Sequence, residues 1–386
     1  MLLRGRTSDD GRSHRLRRVL TTAACLVLAL AAWFAWSFSG YVRDSQGEPT
    51  SVLLAEWGRD HHLGGAVAWA ENFYYDHIAT TPVGGSPDIS AQVAGPPPPL
   101  QAVTHPHLQP PPNLVSPAAQ PVADEGVWQP VGSPVDGIPA IYVTRVRPDP
   151  VHTSVLVSLM WIDTKLTSQM LVPGYIEPGG PDPSQGALPK ALWPQVLANF
   201  NGGFRLADSR GGYYFHGTTV APLVKGRASA VIGSDGSLQI GAWGRDVTMG
   251  PSVSVVLQNL DLIVDHGRSM VSAGENFVWG ATTHGESYAW RSALGERADG
   301  SLVYIGSPGL SAQTLAATLV RAGVVRAMVL DMNNWWVAGF YFTHSATGAP
   351  QCAKLDPHIQ EGCDRFLKRY KRDSFQILAR PVGLQP

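Results

Sequence analysis

Cysteine is close to absent from this chain: three residues in 386, at positions 25, 352 and 363. That excludes a fold stapled throughout by disulfides. An excess of either charge is missing too. Lys and Arg total 29 against 30 Asp and Glu, a formal net charge of -1, so no basic or acidic field points to nucleic acid as a partner. No Walker-type phosphate loop, no HExxH and no GxSxG occurs, and no His, Cys or acidic residues recur at metal-ligand spacing. Neither metal nor cofactor is therefore expected. What is present is apolar material: 44% hydrophobic residues with 12 Trp, ample for a large core. The length suits one large or two modest domains plus extra segments. Gly (41) and Pro (31) are both abundant, and the prolines are unevenly spread.

The N-terminus bears on compartment. Residues 1–18 form a basic tail with Arg4, Arg6, Arg12, Arg15, Arg17 and Arg18, and from Val19 to Phe38 no residue is charged. About 20 such residues cross a ~30 Å hydrocarbon core as a helix. Trp33 and Trp36 stand near the outer end, where indoles favour the interface. A cleavable signal peptide has a shorter apolar region and a small-x-small site. Here the run is long and ends in bulky Trp33, Phe34 and Trp36. Residues 19–39 are accordingly expected as an uncleaved signal anchor in the lipid bilayer. The arginines place the N-terminus in the cytoplasm and the C-terminal part outside, a single-pass cell-membrane topology. A core helix is disfavoured, because the run is apolar on every face. In an oxidising compartment Cys352 and Cys363, with ten residues between them, suit a disulfide. Zinc lacks partner ligands at the right spacing.

Residues 51–77 suggest two amphipathic helical pieces broken at Gly64-Gly65, packed on the membrane surface or on the globular part. His61 and His62, adjacent and so about 100° apart on a helix, are expected as solvated surface residues. Residues 78–134 carry PPPP at 96–99 and PPP at 110–112. They are expected as a semi-rigid polyproline spacer lifting a domain off the membrane or through a wall layer.

The remainder, 135–386, is expected as an extracytoplasmic domain. Ala140–Val146 and Ser154–Asp163 are strands, and turns at Ser234-Asp235-Gly236-Ser237 and Ala298-Asp299-Gly300-Ser301 join further short strands. Ser311–Ala322 is the clearest helix, with Ser311 as its cap and Leu315, Leu319 and Val320 as its stripe. The strand Arg326–Asp331 follows it. The expected class is α+β, a mixed, strand-rich sheet with a few helices, preceded by one transmembrane helix.

One stretch stands apart: Ala198-Asn199-Phe200-Asn201-Gly202-Gly203-Phe204. Adjacent glycines permit positive φ or the close approach of another group, and Asn201 offers an amide that donates and accepts. Taken alone it is an ordinary turn. Two further landmarks follow in order: Arg291-Ser292-Ala293-Leu294-Gly295, with Asp299-Gly300 beyond it, and the helix with Gln313-Thr314-Leu315 leading to Met328-Val329-Leu330-Asp331. In this order they resemble the phosphodiester glycosidase family, the group that includes the lysosomal "uncovering" enzyme, over roughly Ile141 to Phe342. That family's last landmark is Asp-Gly-Gly-Gly-Ser. This chain reads Asp331-Met332-Asn333-Asn334-Trp335-Trp336 instead, keeping the aspartate and losing the small residues.

The resemblance implies a hydrolase that cleaves a sugar–O–phosphate bond in an envelope glycan or glycolipid. Positive charge builds at the anomeric carbon and the phosphate leaves. Arg291 is expected to pair with the phosphate, or else to sit in a surface salt bridge. Asp331, at a strand end, is expected to stabilise the oxocarbenium-like state or activate water, or else to cap a turn. Asn201 would contact hydroxyl, N-acetyl or phosphate groups, with Gly202, Gly203 and Phe204 forming the wall. Trp335 and Trp336 are expected as a sugar platform or core, one of them core. His216, Glu275, His284 and Asn333 are further binding candidates, and Glu275 would complete an acid/base pair with Asp331. The alternative is a non-catalytic glycan- or protein-binding module of the same fold.

Overall fold

The computed structural model describes residues 9–87, 106–182, 184, 186–272, 276–280, 288–345 and 348–380. The chain divides into two compact units, Met1–Val67 and Ala68–Pro386. Five α-helices occur among the described residues: α1 (Asp9–Arg43), α2 (Thr50–Asp60), α3 (Gly64–His77), α4 (Leu206–Ser209) and α5 (Ala312–Arg321).

In the first unit, residues 14–43 of α1 are long and apolar enough to cross a membrane, and none of the apolar window is buried within the protein. Helix α2 folds back on its C-terminal third. Val52, Leu53, Trp57 and Gly58 are its buried residues. The Trp57 ring lies 5.8 Å from Trp33 and 4.8 Å from Phe34, and its N–H donates to Ser37 Oγ at 3.0 Å. Tyr41 donates to Asp60. His61 departs from the solvated residue expected. Half-buried, it stacks on Trp57 at 4.4 Å with Nε2 3.2 Å from Ser37 Oγ, whereas His62 is exposed. The helical break falls at 61–63, and Gly64-Gly65 opens α3.

The second unit carries three antiparallel sheets. The largest runs in the order β1 (Gln129–Val131), β2 (Ile141–Val146), β3 (Val157–Ile162), β14 (Leu302–Leu310), β13 (Ala289–Arg297), β15 (Val324–Met332), β11 (Leu262–Asp265), β12 (Arg268–Ser269). A second has β17 (Pro350–Lys354), β16 (Gly339–His344), β5 (Val196–Asn201), β18 (Ser374–Ala379) and β4 (Thr167–Val172). The third has β7 (Thr218–Ala221), β6 (Tyr213–Phe215), β10 (Val253–Gln258), β8 (Ala228–Gly233) and β9 (Leu238–Ala242). The class is α+β, strand-rich with few helices. Among the described residues, parallel pairing is confined to the isolated bridges Gly174↔Pro178 and Trp243↔Val247. The strand–helix–strand unit β14–α5–β15 has β13 between its two strands, so even there each ladder is antiparallel.

Helix α5 forms where the sequence placed it. Ser311 caps it in a reciprocal box with Thr314, a device that satisfies two orphan N-terminal donors. Its Leu315, Ala316 and Leu319 face Trp161, Ala293, Val303, Ile305 and Val329 in the main core.

The expected spacer at 78–134 is corrected at both ends. Gly84 donates to Val151 O at 2.8 Å, and Thr153 Oγ1 donates to Gly85 O at 2.8 Å. On the far side, Leu108 N donates to Asp163. Leu114 and Trp128 are buried in the main core, and β1 pairs with β2. Glu125, buried against Arg147 at 2.6 Å, locks this stretch down. Burial alone would raise the Glu125 pKa, but bonds from Arg147, Ser116 and Val122 hold it at about 2. The proline-rich run is thus bracketed by two attachments on one body. Its apolar members, Leu114 and Trp128, have a core to enter, which a proline count alone does not reveal.

Candidate functional site

Several strand ends meet around the Asn-Gly-Gly stretch. Strand β5 lies between β16 and β18 and ends at Asn201, opposite Ser374. The Asn201 amide is 4% exposed. Its Oδ1 accepts from Tyr304 OH at 2.7 Å and Ala338 N at 3.2 Å. Its Nδ2 donates to Ser292 Oγ and Gly202 O, both at 2.9 Å. Ser292 Oγ donates in turn to Asp331 O at 2.8 Å. This buried relay joins β5, β13, β14 and β15, so all three sequence landmarks do converge. The amide's two donors and two lone pairs are all spent. Asn201, expected as a substrate ligand, is instead the tie that holds the landmarks together.

Arg291 is corrected as well. Next to Ser292 on β13, it points to the opposite face. Both neighbouring strands place an extra residue beside it, since the register runs Ala289↔Leu310 to Arg291↔Ser307 on β14 and Ala293↔Val329 to Arg291↔Met332 on β15. The guanidinium is fully buried, with Nε donating to Leu310 O and Nη1 to Trp279 O, each at 2.9 Å. Burial lowers its pKa to about 10, against an opposing contribution from Tyr75. It organises the two irregular strands and is neither a surface salt bridge nor an exposed phosphate clamp.

The irregularity in β15 has a second result. Bulges bend a strand and re-aim side chains, and Asp331 lies within this one. Its Oδ1 accepts from Met332 N at 2.7 Å and its Oδ2 from Arg372 Nη2 at 2.6 Å. Arg372 Nη2 also donates to Gly203 O at 3.3 Å. The next residue, Asp373, accepts at Oδ2 from Gly203 N at 3.3 Å, and its carbonyl accepts from Gly202 N at 3.0 Å. A Cβ on Gly202 would stand 2.1 Å from Asp373 Oδ2, so glycine is required there for close approach. A Cβ on Gly203 would meet Asn259 at an ordinary 3.5 Å. Neither glycine has positive φ.

The cluster is therefore Asp331–Arg372–Asp373 against Gly202-Gly203. Burial raises the Asp373 pKa to about 7; Arg372 and the Gly203 N–H oppose the shift and Asp331 adds to it. One carboxylate is held in an ion pair while its neighbour keeps its proton towards neutrality. A carboxyl group that keeps its proton near neutrality can serve as an acid.

Of the two tryptophans, Trp336 is the one against this cluster. Trp336 is buried, with its ring 4.9 Å from the Arg372 guanidinium and 5.4 Å from the Lys371 ammonium. Trp335, expected as a sugar platform, is buried too. Arg365 stands 5.7 Å from its ring and donates to its carbonyl at 2.8 Å. Asn333 sits at φ 95 with Oδ1 accepting from Trp335 N at 2.9 Å. Its side chain shapes the turn after β15. Phe204 is half-buried on the main core. His216 is not brought to the cluster: it is exposed in the β6–β7 turn, with its backbone N–H bonded to Ser254 O and its ring edge-on to Phe215. Glu275 and His284 lie outside the described residues. Among the described residues no group of three or more His, Cys, Asp or Glu could hold a metal ion.

Arg372 and Asp373 were missed in the sequence. Their signal was there: Lys371-Arg372-Asp373 stands directly before the apolar strand Ser374–Ala379, at the end of a basic run from Arg365. Cys352 and Cys363 form a disulfide with a Cα–Cα distance of 5.8 Å, as expected.

No protein-family model matches the chain, and no curated protein matches it by sequence. Among solved structures it is similar to a hypothetical protein from Synechocystis, at 11% identity and TM-score 0.37, covering 64% of each chain. It is also similar to the zebrafish N-acetylglucosamine-1-phosphodiester alpha-N-acetylglucosaminidase catalytic domain, at 13% identity and TM-score 0.38, covering 69% of this chain and 87% of that one. A third is an exported protein from Burkholderia pseudomallei, at 13% identity and TM-score 0.30, covering 60% of this chain and 75% of that one. The likeness is weak and at the level of fold.

Proposed function

We propose that the chain is a membrane-anchored hydrolase that cleaves the bond between an anomeric carbon and phosphate in an extracytoplasmic glycan or glycolipid. One observation carries the proposal: two carboxyl groups, Asp331 in an ion pair with Arg372 and Asp373 bonded to Gly203 N, meet beneath the Gly202-Gly203 turn. Arg372 releases Asp331 to pair with the departing phosphate. Asp331 then faces the positive charge developing on the sugar or takes a proton from water. Asp373 holds the proton that restores a neutral phosphate oxygen. Arg291 and Asn201 act as positioning residues behind the cluster.

The test is release of free sugar from an N-acetylglucosamine-1-phosphate diester by the full chain in detergent micelles. Asp331→Asn is expected to lower the rate at least 100-fold, in the range of general acid–base contributions. No release by the parent chain, or equal release by the variant, would overturn the proposal. Retention of the intact diester without turnover would favour the binding-module alternative, which the altered Asn333–Trp336 turn makes specific.

A further inference from the structure

Helix α3 is amphipathic in the wrong sense for a helix that belongs to a soluble surface. Its half-buried residues are Gly64, Val67, Ala68, Glu71, Asn72 and Tyr75, which at 100° per residue share one side of small and polar residues with few large apolar groups. Tyr75 on that side is an electrostatic neighbour of the buried Arg291. The other side is exposed and aromatic. Trp69 is 70% exposed, and Phe73 and Tyr74 are each 47% exposed. Trp69 stacks on Phe73 at 5.9 Å, and Phe73 on His77 at 4.6 Å. Ile78 and Val83 continue the exposed apolar surface at 64% and 74%.

Covalent connection limits what can cover this face. His61 reaches Ser37, which lies at the outer end of the uncharged run of α1. Only Leu63 and His62 separate His61 from α3, so the helix begins within about 10 Å of that end at ~3.5 Å per residue. Trp and Tyr favour the level of the lipid headgroups, where an amphipathic helix lies in the plane of the membrane. The exposed face carries no Lys or Arg, and its one acidic residue is Asp76, so insertion of rings, not attraction to anionic lipid, is the available mode of attachment.

We infer that, with α1 spanning the bilayer, α3 lies in the outer headgroup layer with Trp69, Phe73 and Tyr74 in contact with lipid. The membrane is thereby engaged twice, by a span and by an interfacial helix. The experiment uses the full chain with Cys25→Ser, reconstituted in dioleoylphosphatidylcholine vesicles. Single spin labels are placed through Trp69→Cys, Phe73→Cys and, on the opposite side, Ala68→Cys. Labels at 69 and 73 are expected to show a several-fold higher ratio of oxygen to water-soluble nickel-chelate accessibility than the label at 68. As a second readout without a label, the fluorescence that is lost in Trp69→Phe is expected to be quenched by phosphatidylcholine brominated near the glycerol end of its chains. Equal accessibility ratios at all three sites, or dipolar broadening that shows a second copy against the face, would overturn the inference. So would a Trp69 signal insensitive to brominated lipid.

Discussion

Replacing Asn201 separates a structural role from a ligand-binding one. Asn201→Ala removes four buried hydrogen bonds, to Tyr304, Ala338, Ser292 and Gly202. At about 1 kcal/mol net each, the loss is about 4 kcal/mol, and partners left dry and unpaired push it upward. Asn201→Asp is the sharper variant because it keeps the shape. It turns the Nδ2 donor into an acceptor facing Gly202 O and the Ser292 hydroxyl, whose proton is already given to Asp331 O. Two bonds become repulsive contacts, and a charge enters a site that is 4% exposed. A cost of about 3 kcal/mol or more follows. The assay is urea unfolding of the full chain in micelles, followed by tryptophan fluorescence, with a sugar-phosphate diester present or absent. A ligand-facing asparagine would give less than about 0.5 kcal/mol for Asp in the absence of diester, as surface substitutions do. That result would refute the relay.

Three further outcomes follow from the same geometry. Asp373 holds its proton up to about 7 when folded, against an ordinary value of 3.8; the folded chain therefore binds more protons between those values, and stability should fall as pH rises through that window. In Asp373→Asn that slope disappears, and any decline of hydrolysis through pH ~7 disappears with it, as pH-rate profiles of the two chains would show. Glu125 is shifted the other way, from 4.5 to about 2, so its contribution is complete above about 4.5 and is lost as pH falls towards 2. Glu125→Gln should flatten that acid limb in thermal unfolding curves, a comparison that fails if the limb is unchanged. The Cys352–Cys363 bridge spans a separation of 11 residues, for which the chain-entropy relation gives about 3 kcal/mol. Cys352→Ala with Cys363→Ala should lose that amount in urea titrations, and a loss below about 1 kcal/mol would show that the reduced chain is already constrained there.

Local features were readable because their physics is local. The uncharged run at 19–38 needs only hydropathy and length, and α5 needs a serine cap, a stripe and the terminating Gly323. The disulfide needs two cysteines and an oxidising compartment. The class followed from the many short alternating stretches and the single convincing helix. The attachments at Gly84-Gly85 and at Leu108–Trp128 are not legible in composition, because a proline-rich stretch suits a free rod as well as a segment whose Leu114 and Trp128 find a core. His61 is not legible for a related reason: its partner Ser37 is 24 residues away, on α1.

The candidate site shows where that locality ends. The order of the landmarks that carry Asn201, Arg291 and Asp331 is legible in the sequence, but the residue that links Asn201 to Asp331 in the fold is Ser292, on the face of β13 opposite Arg291. Sequence by itself could not determine which side chains face the chemistry. A single extra residue in β15 opposite Arg291 changes which way Asp331 points, and a one-residue change in register inverts a strand. Arg372 meets Asp331 across 41 residues, and Asp373 meets Gly203 across 170. Those pairings, and the burial that turns Arg291 and Asn201 into supports while lifting the Asp373 pKa, exist only once the three sheets have closed on one another. Charge, hydrogen bonding and protonation depend on the distance and dielectric around a group, and these are properties of the packed chain.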